Sequence, residues 1–124
     1  MKVLVIDDDA DIRHIATMSL ARIGGMAVID AGGGLDGVQK AQAEQPDVIL
    51  LDMMMPTMDG TETLAALRAD PATAAIPVIF LTAKTGGAEV DRMTNLGAAG
   101  VLFKPFNPRT LAADVRALLE RPPG

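Results

Sequence analysis

Five short apolar runs, each followed by a segment of helical periodicity, constrain the fold of this chain more than any other feature. The runs are rich in β-branched and aliphatic residues, which is typical of strands buried on both faces of a parallel sheet. They cover residues 3–6, 27–29, 48–51, 78–81 and 101–103. Short loops between parallel strands require right-handed crossovers, and five units are too few for an eight-stranded barrel. The pattern therefore predicts an α/β fold with an open parallel sheet and helices on both faces.

The segments between the runs carry apolar residues at helical spacing, and we expect these residues to face the sheet. In the first helix they are Ile12, Ile15, Ala16, Leu20 and Ile23. The later helices show Leu35, Val38 and Ala41; Leu64, Ala65 and Leu67; Val90, Met93 and Leu96; and Leu111, Val115, Leu118 and Leu119. The helix ends are predicted by Gly24 with Gly25, by a capping box of Asp59 and Glu62, and by Asn107 with Pro108.

Composition excludes several functional classes. The 124 residues suit one domain, which we place at residues 1–121, with 122–124 as a short tail and no output domain. A net charge of -5 without a basic run disfavours direct contact with nucleic acid. The absence of cysteine excludes disulfides, thiolate metal sites and a cysteine nucleophile. Because no apolar segment is long enough for a signal peptide or a membrane span, we expect a cytoplasmic protein without a membrane partner.

Polar side chains follow four of the predicted strands. They are Asp7, Asp8 and Asp9 after the first, Asp52 after the third, Thr82 after the fourth and Lys104 after the fifth. The carboxyl ends of parallel strands share one edge of the sheet, where ligands bind. Crowded carboxylates repel one another, and a divalent cation relieves the repulsion; oxygen ligands without His or Cys favour Mg²⁺. Thr82 and Lys104 offer a hydroxyl and an ammonium, which suit an anion such as a phosphoryl group.

Asp52 is the carboxylate best placed to act as a nucleophile, provided that the third strand lies beside the first. Phosphoryl transfer requires an in-line nucleophile, a metal ion, and cations or hydrogen-bond donors around the spreading charge. A purely structural role for Asp52 is hard to explain, because burying a carboxylate without a cation costs roughly several kcal/mol. The ordered set of residues therefore predicts a site at which a phosphoryl group is transferred to Asp52.

Four motifs stand at the ends of these strands. They are Val5-Ile6-Asp7-Asp8, residues 50–60 with the sequence LLDMMMPTMDG, Leu81-Thr82-Ala83 and Lys104-Pro105-Phe106. With these motifs the chain resembles, over residues 2–120, the receiver domain of two-component response regulators. The resemblance implies a flavodoxin-like (βα)5 sheet with strand order 2-1-3-4-5. It also implies a cis peptide bond between Lys104 and Pro105.

The resemblance implies a signalling function for the site. Asp52 would be the phospho-acceptor, and it would receive its phosphoryl group from a histidine kinase or a histidine phosphotransfer protein. Thr82 and Lys104 would contact the phosphoryl oxygens. The chain would promote only its own phosphorylation and dephosphorylation, so it would not be an enzyme that transforms a metabolite. It would signal to a downstream target protein by noncovalent contacts, as a monomer or a weak phosphorylation-dependent dimer.

Mg²⁺ is the cofactor that the resemblance implies. Asp8, Asp52 and the backbone carbonyl of Met54 would hold the ion, and Asp7 would reach it through water. Met54 and Lys84 occupy the two positions at which family members tune the lifetime of the phosphate. These side chains predict partial shielding of the attacking water and a lifetime of minutes or longer.

One position departs from the family pattern, and it keeps an alternative open. Receivers usually carry Tyr or Phe three residues before the lysine, where this chain has Val101. A valine has no ring to swing on phosphorylation, so the chain could instead relay the signal by helix shifts or pass the phosphate onward. A degenerate receiver that acts only as a protein-binding module is the main alternative.

Other assignments compete for some of these residues. Residues 32–37 satisfy the G-x-G-x-x-G pattern of nucleotide-binding enzymes, but the first strand of this chain ends in acids that would repel a pyrophosphate. Asp59 lies in a segment similar to the phosphatase motif D-x-D-G-T, although Thr57 replaces the required aspartate. Residues 7–9 could act only as helix-capping acids. His14 falls on the polar side of the first helix, where exposure to solvent is favoured over metal ligation.

Overall fold

The computed structural model describes residues 1–83 and 87–120 of the chain. Its sheet consists of β1 (Lys2–Ile6), β2 (Ala27–Ala31), β3 (Val48–Asp52), β4 (Val78–Thr82) and β5 (Gly100–Phe103). The strands are parallel and lie in the order β2-β1-β3-β4-β5. The flavodoxin-like fold and the strand order predicted above are therefore confirmed. Residues 121–124 lie outside the described residues, so the domain boundary at residue 121 stays a prediction.

Helices cover both faces of the sheet. They are α1 (Ala10–Met18), α2 (Gly34–Glu44), α3 (Gly60–Ala69), α4 (Gly87–Asn95) and α5 (Leu111–Glu120), and α1 continues into a π-helical segment at Ser19–Ile23. Alternate residues of a strand point to opposite faces. On one face Leu4 and Ile6 of β1 lie in a core with residues of α2, α3 and α4, while Val3 and Val5 lie on the other face with residues of α1 and α5.

Burial divides the five strands into two classes. All five residues of β3 and of β4 are buried, as are the last four of β1, which confirms the prediction for these central strands. The same prediction is wrong for β2 and β5, where Ala27 and Phe103 are exposed and most other residues are only half-buried. These two strands form the edges of the sheet, so each has a neighbouring strand on one side and incomplete cover by helices.

Five of the residues predicted to face the sheet are exposed instead: Ile15, Ile23, Leu35, Ala65 and Leu96. Ile23 ends the π-helical segment, whose wider turns rotate its residues away from the spacing of an α-helix. Leu35 lies in the first turn of α2, and Leu96 lies beyond the last residue of α4. The helical pattern therefore fails at some helix ends and also in the middle of α1 and α3, where Ile15 and Ala65 are exposed.

The helix ends follow the predicted signals with one difference. The π-helical segment ends at Ile23, before Gly24, and Gly25 adopts a positive φ of 67° that suits glycine. Asp59 and Glu62 form the predicted capping box at the start of α3. Helix α5 begins at Leu111, later than predicted, because a turn precedes it; there the Asn107 side chain accepts a hydrogen bond from the Arg109 amide at 2.9 Å.

Candidate functional site

The carboxyl ends of the strands enclose an acidic pocket of about 240 Å³. Its lining consists of Asp7, Asp8, Asp9, Ile12, Asp52, Met54, Ala83 and Lys104. Asp7 and Asp8 follow β1, Asp52 ends β3, and Lys104 follows β5. Asp52 occupies a central position because β3 lies between β1 and β4. The structure thus brings together the acids and the lysine that the sequence assigned to one edge of the sheet.

Lys104 links the two buried carboxylates of the pocket. Its Nζ atom lies 2.8 Å from Oδ2 of Asp7 and 3.2 Å from Oδ1 of Asp52. Asp7 is fully buried and Asp52 is only 4% exposed, so solvent screens these charges weakly. One ammonium therefore offsets two carboxylates, and the site keeps an excess of negative charge.

Burial is the largest influence on the ionisation of Asp52. It raises the pKa of this carboxyl to about 6, and the charge of Asp7 acts in the same direction. The charge and hydrogen bond of Lys104 and the amide of Met54 oppose this rise. For Lys104, burial lowers the pKa, but its hydrogen bond and ion pairs with Asp7 and Asp52 outweigh burial and raise the pKa overall. Lys104 is therefore a permanent cation in the pocket near neutral pH.

Three carboxylates of the pocket fit a hard divalent cation. Asp7, Asp8 and Asp52 each offer an oxygen, and these oxygens lie within 4.8 Å of one another. Asp8 is exposed, so the cluster is open to solvent on one side. Oxygen ligands in this number, together with water, are the set with which proteins hold Mg²⁺. The cis peptide bond between Lys104 and Pro105, implied by the resemblance, is present beside this cluster.

Thr82 occupies a different position from the other predicted site residues. It ends β4, is buried, and lines a separate pocket of about 90 Å³ with Asp59, Thr61, Glu89 and other residues. Met54 lines both pockets and therefore lies between them. Lys84, to which a role in phosphate lifetime was assigned, lies outside the described residues.

The capping explanation holds for Asp9 and Asp59 but does not account for the whole acidic cluster. The Asp9 side chain caps α1 by accepting hydrogen bonds from the amides of Asp11 and Ile12 at 2.9 and 3.3 Å. Asp59 caps α3, and its bond from the amide of Glu62 is the main cause of a lowered pKa. The carboxylate of Asp7 instead accepts from Asp9 and Lys104.

Two of the glycines at residues 32–37, Gly34 and Gly37, have packing roles in this structure. A Cβ atom on Gly37 would lie 2.8 Å from Cγ1 of Ile6, and one on Gly34 would lie 2.9 Å from Sδ of Met58. Both glycines therefore allow α2 to approach β1 and the loop after β3. His14 is exposed, as predicted.

Arg13 is a residue of this site that sequence reasoning missed. Its Nη1 atom donates a hydrogen bond to the carbonyl oxygen of Asp7 at 2.8 Å, and its Nε atom donates to Oδ2 of Asp30 at 2.7 Å. Arg13 and Asp30 are 17 positions apart in the sequence. The sequence could have indicated this contact only through the adjacency of β1 and β2, which places the end of β2 close to the start of α1.

Comparison with known protein families identifies the chain. The family model of the response regulator receiver domain matches residues 3–116. The chain belongs to the response regulator receiver family. This receiver is 38% identical over 120 residues to the DNA-binding response regulator MtrA of Mycobacterium tuberculosis (strain H37Rv), covering 97% of this chain and 51% of MtrA. It is 39% identical over 122 residues to the alkaline phosphatase synthesis transcriptional regulatory protein PhoP of Bacillus subtilis, covering 97% of this chain and 49% of PhoP.

Solved structures agree with this assignment. The receiver superimposes on the chemotaxis response regulator CheY4 of Vibrio cholerae with a TM-score of 0.87 and 35% identity, covering 94% of this chain and 97% of that one. The chain spans about half the length of the curated relatives it matches. Within the described ranges, none of the helices has the length and apolar character needed to cross a bilayer. The recognition as a receiver of two-component systems is therefore confirmed.

Proposed function

We propose that this receiver accepts a phosphoryl group on Asp52, in a Mg²⁺-dependent reaction, from a histidine kinase or a histidine phosphotransfer protein. The observation that carries the proposal is the buried Asp52 carboxylate, 3.2 Å from the ammonium of Lys104 in a pocket with two further carboxylates. Membership of the receiver family supports the same role.

The reaction forms a P–O bond and breaks a P–N bond. An ionised oxygen of Asp52 attacks the phosphorus atom, and the electron pair of the P–N bond returns to the imidazole of the donor, which takes up a proton. Near neutral pH most of Asp52 is ionised, because its pKa of about 6 lies below that pH. The ammonium of Lys104 is already in place to stabilise the charge that spreads over the phosphoryl oxygens.

Carboxylates of Asp8 and Asp52 and the backbone carbonyl of Met54 are the proposed ligands of Mg²⁺, with Asp7 acting through water. Bound Mg²⁺ would neutralise charge on the phosphoryl oxygens and help to orient them. Asp8 is the exposed member of the cluster and is suited to meet an ion that enters from solvent. The Asp7 carboxylate accepts hydrogen bonds from Lys104 and from the amide of Asp9, which suits an indirect role.

Thr82 is proposed to contact a phosphoryl oxygen once Asp52 is modified. In the pairing of β3 with β4, Asp52 lies opposite Leu81, so Thr82 follows directly at the end of the neighbouring strand. Val101 lies opposite Phe80 in the pairing of β4 with β5 and packs against the core. With valine at this position, we propose that the signal passes by backbone and helix shifts to a downstream target protein.

Labelling with a small phosphodonor tests the acceptor assignment. We expect phosphoramidate with Mg²⁺ to add one phosphoryl group, detected by mass spectrometry of the intact protein, and EDTA to prevent the addition. Asp52→Asn should abolish labelling, whereas the control Asp114→Asn, an exposed carboxylate on α5, should be labelled like the parent. Stoichiometric labelling of the Asp52→Asn protein would contradict the assignment and favour a degenerate receiver that acts only as a binding module.

An apolar groove beside the acidic pocket supports a protein as the phosphodonor. The groove measures about 380 Å³ and is lined by Ile12, Ile15, Ala83, Lys104, Pro105, Phe106 and Pro108. It shares Ile12, Ala83 and Lys104 with the acidic pocket. We propose that the donor places an apolar helical face in this groove and so presents its phosphohistidine to Asp52.

Two exposed isoleucines provide a matched test of donor docking. Ile15 lines the groove and is 45% exposed, while Ile23 is 58% exposed and does not line it. We expect Ile15→Lys to slow transfer from a phosphorylated histidine kinase by at least ~10-fold but to leave labelling by phosphoramidate unchanged. Ile23→Lys should alter neither rate. Equal effects of the two variants on transfer from the kinase would contradict docking in the groove.

A further inference from the structure

The guanidinium of Arg13 bridges two strands at the carboxyl end of the sheet. Arg13 lies in the first turn of α1, and its own amide donates to the carbonyl of Asp9 at 2.9 Å. From there Nη1 reaches the carbonyl of Asp7 at 2.8 Å, and Nε pairs with Asp30 at 2.7 Å. A Cβ atom on Gly32 would lie 3.5 Å from Nη1, which places the guanidinium directly beside the turn after β2.

The guanidinium of Arg13 donates a hydrogen bond at the point where the backbone hydrogen bonds between β1 and β2 end. The amide of Asp7 donates to the carbonyl of Ala31 at 3.1 Å, one residue beyond the end of β1. In a longer parallel ladder, the carbonyl of Asp7 would accept from an amide further along β2. However, β2 ends at Ala31 and the chain enters α2 at Gly34. The guanidinium therefore supplies the donor that this carbonyl would otherwise receive from the strand.

With this contact, every polar atom of Asp7 has a defined partner. The amide donates to Ala31, the carbonyl accepts from Arg13, and the two carboxylate oxygens accept from the amide of Asp9 and from Lys104. Asp7 is also fully buried. The position of its carboxylate relative to Asp8 and Asp52 is consequently set by these four contacts, of which Arg13 supplies the one at the backbone carbonyl.

We infer that Arg13, oriented by Asp30, is a positioning residue that sets the affinity of the acidic pocket for Mg²⁺ by fixing the backbone of Asp7. The inference rests on the proposed Mg²⁺-dependent function. Mg²⁺ accepts only near-octahedral ligands at about 2.0–2.1 Å, so a small displacement of the loop after β1 weakens binding. Loss of an outer partner of a direct metal ligand lowers metal affinity by about 10–100-fold in other proteins, and because Asp7 is proposed to act through water we expect the lower end of this range for Arg13.

Arg13→Lys separates geometry from charge, because lysine keeps the positive charge but lacks the planar fork that contacts two oxygens at once. Arg116→Lys is the matched control: Nη2 of Arg116 donates to the carbonyl of Gly24 at 2.6 Å, at the opposite end of the helical segment that begins with α1. Asp30→Asn keeps Arg13 but removes the carboxylate that orients it.

Two measurements apply to these variants. Calorimetric titration gives the Mg²⁺ affinity, and hydrogen exchange without Mg²⁺ gives the protection of the Asp9 amide, which donates to Asp7 at 2.9 Å. We expect Arg13→Lys to lower the affinity by about 10-fold and to speed exchange at Asp9. Asp30→Asn should lower the affinity by about 3-fold, and Arg116→Lys should match the parent in both measurements.

The possible failures are distinguishable. If Arg13→Lys has the Mg²⁺ affinity and the hydrogen exchange of the parent, the positioning role is overturned and the proposed function is not. If Arg116→Lys loses as much Mg²⁺ affinity as Arg13→Lys, the positioning role is also overturned, because the loss would then reflect a general loss of helix stability. A parent protein that shows no Mg²⁺ binding would overturn the proposed function and this inference with it.

Discussion

Replacing Asp52 by Asn should stabilise the fold, although the proposed reaction depends on this residue. Burial, assisted by the charge of Asp7, raises the pKa of Asp52 to about 6 from its ordinary value of 3.8. In the unfolded chain the carboxyl returns to that ordinary value. A carboxyl with a higher pKa in the folded state binds its proton more tightly there, so its ionisation near neutral pH destabilises the fold.

The sign and size of the effect follow from these two pKa values. Between pH 3.8 and about 6, the folded protein retains a proton that the unfolded chain has lost, so the free energy of unfolding decreases as the pH rises through this window. The two values correspond to a cost of about 3 kcal/mol near pH 7, and of about 1 kcal/mol near pH 4.5. Asparagine avoids this cost, and Lys104 keeps its contact with Asp7 at 2.8 Å.

Urea unfolding followed by far-ultraviolet circular dichroism measures the effect, since the chain has no Trp or Tyr to serve as a fluorescent probe. In EDTA near pH 7, we expect Asp52→Asn to raise the free energy of unfolding by about 1–3 kcal/mol, and near pH 4.5 by clearly less. The control Asp114→Asn removes a charge from the first turn of α5, so it should lower the free energy of unfolding by up to about 1 kcal/mol rather than raise it. Added Mg²⁺ should reduce the difference by stabilising the parent. A variant no more stable than the parent near pH 7, or equally stabilised at both pH values, would refute this reasoning.

Four further substitutions probe the site and its loops. Asp8→Asn should weaken Mg²⁺ binding in a calorimetric titration with little change in stability, because Asp8 is exposed; an unchanged midpoint would exclude it as a ligand. Lys104→Met should impair labelling by phosphoramidate. It should also destabilise the protein to urea by about 3–5 kcal/mol, because two buried carboxylates lose their partner. Asp59→Ala should cost about 1 kcal/mol in the same urea experiment by removing the cap of α3. Gly60→Ala should cost ~1–3 kcal/mol, because its Cβ would lie 2.7 Å from the carbonyl oxygen of Asp52; full stability would show that this loop adjusts freely.

The central sheet and the gathering of the acids were predictable because both follow from local patterns and one topological rule. Continuous apolar runs mark β1, β3 and β4, and a polar residue after such a run must lie at the carboxyl edge of the sheet. This rule places Asp7 and Asp52 near Lys104 without knowledge of any side-chain conformation. The capping box at Asp59 was also predictable, because its two residues are close in the sequence.

The features that escaped prediction depend on contacts between distant segments. The pairing of Arg13 with Asp30 requires the end of β2 to meet the start of α1, and no local pattern encodes that meeting. The exposure of Ile23 depends on the π-helical segment, which changes the spacing without a sequence signal. The separate pocket of Thr82 depends on how α4, which packs against β5, brings Glu89, Arg92 and Met93 near the end of β4.

Strand length, rather than side-chain identity, controls whether the pocket exists at all. The central strands pair in fixed register, with Ile6 opposite Leu51 and Asp52 opposite Leu81, and each polar residue of the site lies at the end of its strand or directly after it. Inserting one residue into β1 or β3 would turn the following aspartate toward the opposite face and carry it along the strand axis by about 3.3 Å. The apolar residues inside these strands can therefore be exchanged for others of similar volume, whereas a single insertion would dismantle the site without disturbing the composition of the core.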